Sequence, residues 1–301
     1  MSASERVNSG LRGRGTQVCV VGSSNLDLVV TVGHHPQPGE TLLGSGYHEY
    51  PGGKGLNQVV AAARAGAHAA FVSALGDDSA GDRLAAVLAE EGIDGAGVQR
   101  ITGTPTGRAL ITVDESGENS IVVVPGANAE LHSAPLPHAR AVLGQLEIPA
   151  TVVTDAFRQA RAGGSVTILN PAPAASLADE LLACCSIVIP NEHERQHLGS
   201  IDRLFGLGVE AVVTTLGSAG VDVETPVGRH HVEPFAVTPV DTTGAGDAFC
   251  GAFAVAVAEG ADALGAARFA AAAGAIATTR AGAVPSLPRR AEVEALMDGQ
   301  R

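Results

Sequence analysis

Apolar residues along the chain follow two alternating patterns, short continuous runs and longer stretches with helical spacing. The run at 18–21 is typical of a strand buried on both faces of a sheet. Farther on, apolar residues from Leu56 to Ala63 occupy positions i, i+3, i+4 and i+7, which predicts a helix that ends near Gly66. The two patterns therefore predict strands and helices in turn.

This alternation continues through the rest of the chain. Further strands are predicted by the runs at 71–75, 142–146, 166–169, 187–189, 212–214, 221–223 and 230–232, the last two as a pair. Helices are predicted around 84–88, at 151–161 and 176–183, from 191 onward and at 246–280. Strands that alternate with helices build a parallel sheet covered on both faces. We therefore expect an α/β fold, a three-layer α/β/α domain around a mainly parallel central sheet.

Two β-rich segments interrupt the alternation. Residues 28–50 combine a Val-rich stretch with Pro and Gly, and residues 105–125 contain two apolar runs that flank a Gly-containing turn, which predicts a hairpin. Because no long linker or internal repeat separates these segments from the rest, we expect one small β-sheet lid on a single domain that covers 17–301. Residues 1–16 are polar and Gly-rich, which predicts a flexible extension and not a signal peptide.

Composition narrows the classes of partner. Among 301 residues, 19 are Lys or Arg and 32 are Asp or Glu, so the formal charge is −13, and Trp is absent. An acidic surface with few aromatic residues is unsuited to nucleic acid, so no nucleic-acid partner is expected. No apolar run approaches the roughly 20 residues of a membrane span, so no membrane partner is expected either.

The chain has four cysteines, and none belongs to a Cys-x-x-Cys pair or lies near a His at metal-ligand spacing. Free thiols of this kind are usual in a reducing compartment. A cytoplasmic location is therefore expected.

The string Asp-Thr-Thr-Gly-Ala-Gly-Asp-Ala-Phe at 241–249 combines small residues with a carboxylate before a stretch of helical spacing. The helix is predicted to begin near Gly246, and its unpaired N–H groups can hold an anion such as a phosphoryl group. Asp247 then lies in the first turn beside that anion. The same letters also fit a turn followed by a cap, with Asp247 only complementing the helix dipole.

A second Gly-rich string occupies 52–58. It is not a Walker A loop, because His48 stands where that motif has Gly and Lys54 is followed by Gly55. A Gly-Gly hairpin turn is one explanation of the string. In the other, the backbone amides of Gly52 and Gly53 approach a polyol, and Lys54 and Asn57 add directed polar contacts.

Polar side chains are also predicted at strand ends. Asn25 and Asp27 follow the first buried strand, and Glu147 follows the run at 142–146. Ligands of open α/β sheets bind at the carboxyl ends of strands, so the three residues are expected to converge there. An Asx-turn that closes the first strand is the alternative for Asn25 and Asp27.

Two further polar strings follow predicted strands. Asn191 and Glu194 form an N-x-x-E pair after an apolar strand, which fits a helix-capping pair. Residues 215–220 follow the next strand and offer hydroxyls and a flexible backbone.

The strings at 52–58 and 241–249 resemble the N-terminal and C-terminal signatures of the ribokinase family of sugar kinases, and the resemblance runs from about Val18 to Pro288. It implies a small lid that also forms a homodimer, and transfer of a phosphoryl group from ATP to the 5-hydroxyl of D-ribose. It further implies Mg²⁺ on the ATP phosphates and a monovalent cation, usually K⁺, near the anion site.

The resemblance also implies roles for individual residues. Asp247 is the expected general base, and the expected anion hole is Gly244, Ala245 and Gly246. The expected ribose contacts are Asn25, Asp27, Gly53, Lys54, Gly55, Asn57, Glu147 and Asp247. The expected ATP contacts are Asn191, Thr215, Gly217, Ser218, Gly220 and Gly246. The expected cation site is Asp241, Thr243, Ala277, Arg280, Gly282 and Ser286, and Glu194 is expected in the outer shell of Mg²⁺.

Other functions remain open at this stage. The substrate can be another pentose, a deoxyribose or a nucleoside, and a non-catalytic sugar-binding protein is a third hypothesis. Three departures from the family are visible, one of which is Ala271, where the family often has a larger residue beside the adenine. The segment 199–209 is short, which predicts that a surface helix is reduced or lost, and Leu56 stands where a small residue is usual, which predicts a change in packing.

Overall fold

The computed structural model describes residues 17–300, so the extension predicted at 1–16 lies outside the described residues. The first apolar run forms strand β1 (Gln17–Val21). Val18 and Val20 pack into one apolar core, whereas Cys19 and Val21 pack into another. Because successive side chains of a strand point to opposite faces, this alternation places one core on each side of the sheet.

The large sheet contains nine strands within the described residues. They are β1, β4 (His68–Gly76), β5 (Asp94–Ile101), β8 (Ala141–Gly144), β9 (Val166–Leu169), β10 (Ile187–Val188), β11 (Ala211–Thr215), β12 (Val221–Thr225) and β13 (Gly228–Val232). Their order is β13-β12-β11-β10-β9-β8-β1-β4-β5. Pairing is parallel from β11 to β5, and β12 and β13 add an antiparallel edge. The prediction of a mainly parallel sheet is confirmed.

Helices cover both faces. They are α1 (Lys54–Arg64), α2 (Ser79–Glu90), α3 (Ala150–Ala162), α4 (Asp179–Leu182), α5 (Glu192–Gln196), α6 (Ile201–Gly206), α7 (Ala245–Ala258), α8 (Ala263–Ala277) and α9 (Arg290–Gly299). α1, α2, α7, α8 and α9 contribute to one core, and α3, α4 and α6 contribute to the other. The three-layer α/β/α fold class is therefore confirmed. Leu56 is fully buried in the first core, where its larger side chain is accommodated by packing.

The lid is a second, four-stranded sheet in the order β3-β2-β6-β7. Its strands are β2 (Asn25–Thr31), β3 (Gly46–Gly52), β6 (Gly107–Val113) and β7 (Asn119–Val124). β2 pairs with β6 in parallel, and the hairpin of β6 and β7 is antiparallel as predicted. The two β-rich segments of the sequence thus lie in one sheet.

Several predicted elements differ from the structure. The helical stretch predicted at 246–280 is two helices, because the chain turns at Gly260, whose φ is 99°, and Asp262 then caps α8. The strand predicted at 142–146 ends at Gly144, and the helix predicted at 176–183 covers only Asp179–Leu182. In the segment 199–209, where a helix is predicted to be reduced or lost, the structure has the six-residue helix α6, so the helix is not lost.

Two elements, β5 and α9, were not predicted. β5 has the sequence Asp-Gly-Ala-Gly-Val-Gln-Arg-Ile and lies at the sheet edge, so its residues are only partly buried and show no continuous apolar run. In the part of the chain that the structure describes, no helix is both long and apolar enough to span a bilayer.

Candidate active site

The Gly-rich string at 52–58 joins strand β3 directly to helix α1, so the explanation as a hairpin turn is wrong. Gly53 has φ of 88°, and a Cβ on it would lie 2.7 Å from the backbone N of Asn25. A Cβ on Gly55 would lie 2.5 Å from the backbone N of Ser23. Only glycine allows the chain to pass this closely, so both residues bring the start of α1 against the segment that joins β1 to β2.

Glu147 lies beyond the end of β8 and reaches the start of α1. Its Oε2 accepts hydrogen bonds from the Ser23 hydroxyl at 2.6 Å and from the backbone N–H of Lys54 at 3.1 Å. The Ser23 hydroxyl oxygen in turn accepts from the N–H of Gly55 at 3.3 Å. A carboxylate beside the N-terminus of a helix is favourable, and here one of its oxygens is fixed by the protein.

Asn25 and Asp27 are the first and third residues of β2. They therefore do not form the turn after β1, and the Asx-turn alternative is wrong. Residues two apart in a strand share a face, so both side chains lie on the same side of the lid. The Oδ1 of Asn25 accepts a hydrogen bond from the Asn128 amide at 2.8 Å. The side chain of Asp27 lies over Gly52, where a Cβ would come within 2.1 Å of its Oδ2.

The carboxylates of this region influence one another. Burial first, and then the negative charges of Glu147 and Asp247, raise the pKa of Asp27 to about 7. Burial alone would lower the pKa of the Lys54 ammonium, but Asp247, Glu147 and Glu194 outweigh it and the net direction is upward. Lys54 is thus a half-buried cation among several acidic groups.

Asp247 lies in the first turn of α7 and is 8% exposed. Its Oδ2 accepts from the Asn57 amide at 2.9 Å, and its Oδ1 accepts from the Gln58 amide at 3.0 Å. Burial raises the pKa of the Asp247 carboxyl, while the Lys54 charge and the two amide donors act in the opposite direction. The carboxylate is therefore held by two amide donors beside a cation.

The start of α7 is open in front of this carboxylate. Gly244 caps the helix in the left-handed region with φ of 77°, and a Cβ there would lie 3.1 Å from Cα of Ala283. A Cβ on Gly246, in contrast, would have no heavy atom within 4 Å. The N–H of Ala245 donates to the carbonyl oxygen of Thr242 at 3.2 Å, and the first i→i−4 bond of the helix is that of Ala248 to Gly244. The N–H groups of Gly246 and Asp247 lie between these two bonds and are the candidate donors for an anion.

A cavity of about 230 Å³ lies beside Asp247. Of the predicted ribose contacts, Lys54 and Asp247 line it, whereas Asn25, Asp27, Gly53, Gly55, Asn57 and Glu147 do not. Residues from the sugar, anion and nucleotide sets line it together: Lys54, Asn191, Glu194, Thr215, Gly244, Gly246 and Asp247. Asn191 and Glu194 also form a capping box at α5, since Asn191 Oδ1 accepts from the N–H of Glu194 at 2.7 Å and Glu194 Oε2 accepts from the N–H of Asn191 at 2.9 Å. This pair therefore caps α5 and also lines the cavity.

The remaining nucleotide residues lie beyond Thr215. Gly217 and Ser218 belong to a short 3₁₀ turn between β11 and β12, and Gly220 follows it. Gly220 has φ of 90°, and a Cβ there would lie 2.2 Å from the carbonyl oxygen of Val232. The packing of the β12–β13 hairpin alone therefore requires glycine at 220.

Asp241 connects the loop before α7 with the loop after α8. The predicted cation residues lie on these loops and at the end of α8. The Oδ1 of Asp241 accepts from the N–H of Thr243 and its Oδ2 from the N–H of Gly282, both at 2.8 Å. Burial alone would raise the pKa of Asp241, but these hydrogen bonds hold it below its usual value.

The other members of this set come from the end of α8 and the loop after it. Ala277 ends α8, and Arg280 forms an ion pair with Glu292. Ser286 is buried and donates its hydroxyl proton to the carbonyl oxygen of Ala283 at 2.8 Å. The structure thus brings the Asp241 carboxylate against the loop after α8, and Ala283 of this loop lies next to Gly244 at the start of α7.

Comparison with known proteins identifies the family of this chain. The model of the pfkB family carbohydrate kinases matches residues 15–290. The chain belongs to the pfkB family of carbohydrate kinases. A relative named ribokinase from Haemophilus influenzae is 40% identical, over 91% of this chain and 95% of its own.

Two solved structures of the family have the same fold. The ribokinase of Thermotoga maritima superimposes with a TM-score of 0.87 at 36% identity, covering 94% of this chain and 99% of its own. Arabidopsis thaliana ribokinase complexed with ribose and ATP gives a TM-score of 0.85 at 32% identity, with the same coverage.

Three residues of the site were not assigned from the sequence of this carbohydrate kinase. Ser23 and Gln58 are both fully buried and bind Glu147 and Asp247 respectively, and Asn128 binds Asn25. A signal was available for Gln58, since a polar side chain inside an apolar helical stretch needs a buried partner. For Ser23 and Asn128 the partner is more than a hundred positions away, and no local pattern indicates it.

Proposed function

We propose that this carbohydrate kinase transfers the γ-phosphoryl group of ATP to the 5-hydroxyl of D-ribose. The observation that carries the proposal is the position of Asp247, a buried carboxylate in the open first turn of α7, held by Asn57 and Gln58 next to Lys54. The ribokinase relatives, one of them solved with ribose and ATP, support the choice of substrates.

In the proposed reaction Asp247 accepts the proton of the attacking hydroxyl. The sugar oxygen forms a bond to the γ-phosphorus as the bond from that phosphorus to the β,γ-bridging oxygen breaks, and ADP leaves. The helix start at Gly244, Ala245 and Gly246 stabilises the negative charge on the transferred group, because a helix start directs donors and a positive dipole toward it. Positioning and charge stabilisation therefore supply most of the catalysis.

We assign the ribose hydroxyls to polar groups on both sides of the Gly-rich turn: Asn25, Asp27, Gly53, Lys54, Gly55, Asn57 and Glu147. One detail favours a hydroxyl-rich ligand. Asn57 Nδ2 is engaged by Asp247, while its Oδ1 is buried without a partner among the described residues. A buried acceptor in that state is costly unless a donor such as a hydroxyl reaches it.

ATP is assigned to Asn191, Thr215, Gly217, Ser218, Gly220 and Gly246. Mg²⁺ would neutralise the phosphate charge, and Glu194 would reach its hydration shell. The donor set fits this ion, because Mg²⁺ prefers few protein carboxylates and keeps several waters. The described residues contain no cluster of three or more His, Cys, Asp or Glu that would hold a metal by side chains alone.

We further propose a monovalent cation, K⁺, at Asp241, Thr243, Ala277, Arg280, Gly282 and Ser286. Oxygen ligands suit such an ion, and Asp241 has remaining lone pairs on both oxygens after accepting one N–H on each. The positive charge would lie beside the anion hole and assist it.

We also propose a homodimer that forms through the lid. All six residues of β7 are exposed, although four of them are Ile121, Val122, Val123 and Val124, and β7 is an edge strand. An exposed apolar edge strand is an aggregation risk unless a specific partner covers it, and a second copy of the chain would do so. A cytoplasmic location is proposed in addition, in agreement with the free thiols of Cys19, Cys184, Cys185 and Cys250.

A coupled ADP-release assay with D-ribose, Mg²⁺ and K⁺ tests the proposal, with 2-deoxyribose and adenosine as competing substrates and with K⁺ omitted at constant ionic strength. Asp247→Asn, which keeps the shape of the side chain, is expected to lower kcat by about 10²- to 10⁴-fold. Absence of ribose-dependent turnover in the intact protein would exclude the substrate. Unchanged turnover in Asp247→Asn would exclude Asp247 as the general base. Ribose binding measured by calorimetry without turnover would favour a non-catalytic sugar-binding protein.

A further inference from the structure

We propose that Gln58 is a positioning residue that holds the Asp247 carboxylate in the orientation from which it accepts the substrate proton. The proposal rests on the proposed role of Asp247 as the base. Gln58 lies on α1, is fully buried, and donates through Nε2 to Asp247 Oδ1 at 3.0 Å and to Asn170 Oδ1 at 3.2 Å.

The orientation of this carboxamide is determined at both ends. Asn170 donates through Nδ2 to the carbonyl oxygen of Ile189 at 3.0 Å, and a carbonyl can only accept, so Asn170 must turn its Oδ1 toward Gln58. At the other end an ionised Asp247 also can only accept. The NH₂ group of Gln58 therefore faces both acceptors, and neither amide can flip without placing two acceptors together.

The second polar atom of the Gln58 carboxamide is also engaged. Its Oε1 accepts from Gln145 Nε2 at 3.4 Å, and Gln145 is packed so tightly beneath Gly22 that a Cβ there would lie 1.8 Å from Gln145 Nε2. Since Gln58 and Gln145 are both fully buried, solvent does not compete for these bonds. Both polar atoms of the Gln58 side chain are thus bonded in the core, which restricts its motion, whereas Gln145 Oε1 is buried without a partner among the described residues.

The anchors of the network come from adjacent strands of the central sheet. Gly22 follows β1, Gln145 follows β8, Asn170 follows β9 and Ile189 follows β10. Through Gln58 on α1, the orientation of the Asp247 carboxylate on α7 is thus fixed relative to the carboxyl ends of four strands. This linkage explains why the chain places a glutamine inside an otherwise apolar face of α1.

Gln58→Leu tests the proposal, because it keeps the approximate size and removes the donor. We expect kcat to fall by about 10- to 100-fold, the loss of one hydrogen bond to a charged group, with little change in the KM of ribose. The acid limb of the kcat/KM profile should move to higher pH, since the lost donor lowers the pKa of Asp247. If Gln58 only supported the fold, its replacement would not shift the acid limb and would not lower kcat selectively.

Gln159→Leu is the matched control. Gln159 is an exposed glutamine on α3 that bonds two backbone groups, those of Leu136 and Ala134. The control should keep wild-type kcat, KM and pH profile. It separates the loss of any bonded glutamine from the loss of the one that holds Asp247.

A folded Gln58→Leu protein with wild-type kcat and acid limb would overturn the proposal, as would a loss confined to KM. Should the leucine variant not fold, Gln58→Glu keeps the shape and places an acceptor opposite Asp247; the same shift of the acid limb is expected, and a wild-type profile would again overturn the proposal. Failure of the proposed function is distinguishable, because it would appear in the intact protein or in Asp247→Asn.

Discussion

The ionised Asp27 side chain lowers the free energy of unfolding of the ligand-free protein. It is half-buried, and burial together with the charges of Glu147 and Asp247 raises its pKa from the usual 3.8 to about 7. Between these two pH values the folded protein binds more protons than the unfolded chain, so stability falls as pH rises through this range. The ionised form that would accept sugar hydroxyls is therefore the form that costs stability.

Asp27→Asn should accordingly stabilise the ligand-free protein while weakening ribose binding. The gain in the free energy of unfolding is expected to be small near pH 4, to increase up to about pH 7 and to remain constant above it, at most about 4 kcal/mol. Urea unfolding at several pH values measures it, and titration with ribose measures the loss of affinity. Asp202→Asn, at an exposed position on α6, is the control, and lower stability of the Asp27 variant at pH 8 would contradict this account.

At the scale of elements, the crossing of α1 and α7 sets the alignment of the site. A Cβ on Gly251 would lie 2.5 Å from the carbonyl oxygen of Gln58 and 2.6 Å from Cβ of Ala61. The two helices thus touch backbone to backbone about one turn after Asp247. This contact places Asp247 within hydrogen-bond distance of Asn57 and Gln58.

Gly251→Ala should push the helices apart and misalign the carboxylate. We expect the free energy of unfolding to fall by about 1–3 kcal/mol, although alanine is the better helix former, and kcat to fall with it. Denaturant unfolding and the ADP-release assay measure the two effects. Gly206→Ala in α6 is the control, because its Cβ meets no heavy atom within 4 Å and should leave both quantities almost unchanged. Equal behaviour of the two variants would show that the crossing is not tight.

Elements whose sequence pattern lies within a few neighbouring residues were predictable from the sequence. The run at 18–21 and the glycines at 53 and 244 reveal a buried strand and close approaches, because their constraints lie within a few residues. The edge strand β5 carries no continuous apolar run, and the break at Gly260 lies inside an Ala-rich stretch. The bonds that Gln58 makes to Asp247 and Asn170 depend on residues 189 and 112 positions away, which no periodicity encodes.

At the scale of the whole molecule, the lid presents its apolar edge outward. Ile121, Val122, Val123 and Val124 are 51%, 59%, 45% and 45% exposed. Exposed apolar side chains in consecutive positions of an edge strand provide both hydrophobic area and unpaired backbone groups. These properties suit the proposed contact between two copies of the chain.

Val122→Glu should convert the proposed dimer to a monomer, because two charges would be buried against each other across the contact. Sedimentation velocity at micromolar concentration measures the change. Val227→Glu, at a position that is 95% exposed in the turn between β12 and β13, should leave the assembly intact. A wild-type protein that sediments as a monomer would exclude the contact.

The bond between Asn57 and Asp247 joins residues 190 positions apart in the sequence. During synthesis the proposed sugar-binding residues are made first, and the proposed base and anion hole cannot meet them until about four fifths of the chain has been made. Long-range contacts of this kind form late, after the entropy of closing a large loop has been overcome. Phosphoryl transfer is therefore a sensitive indicator of complete folding, and recovery of activity after denaturation should trail recovery of helical signal.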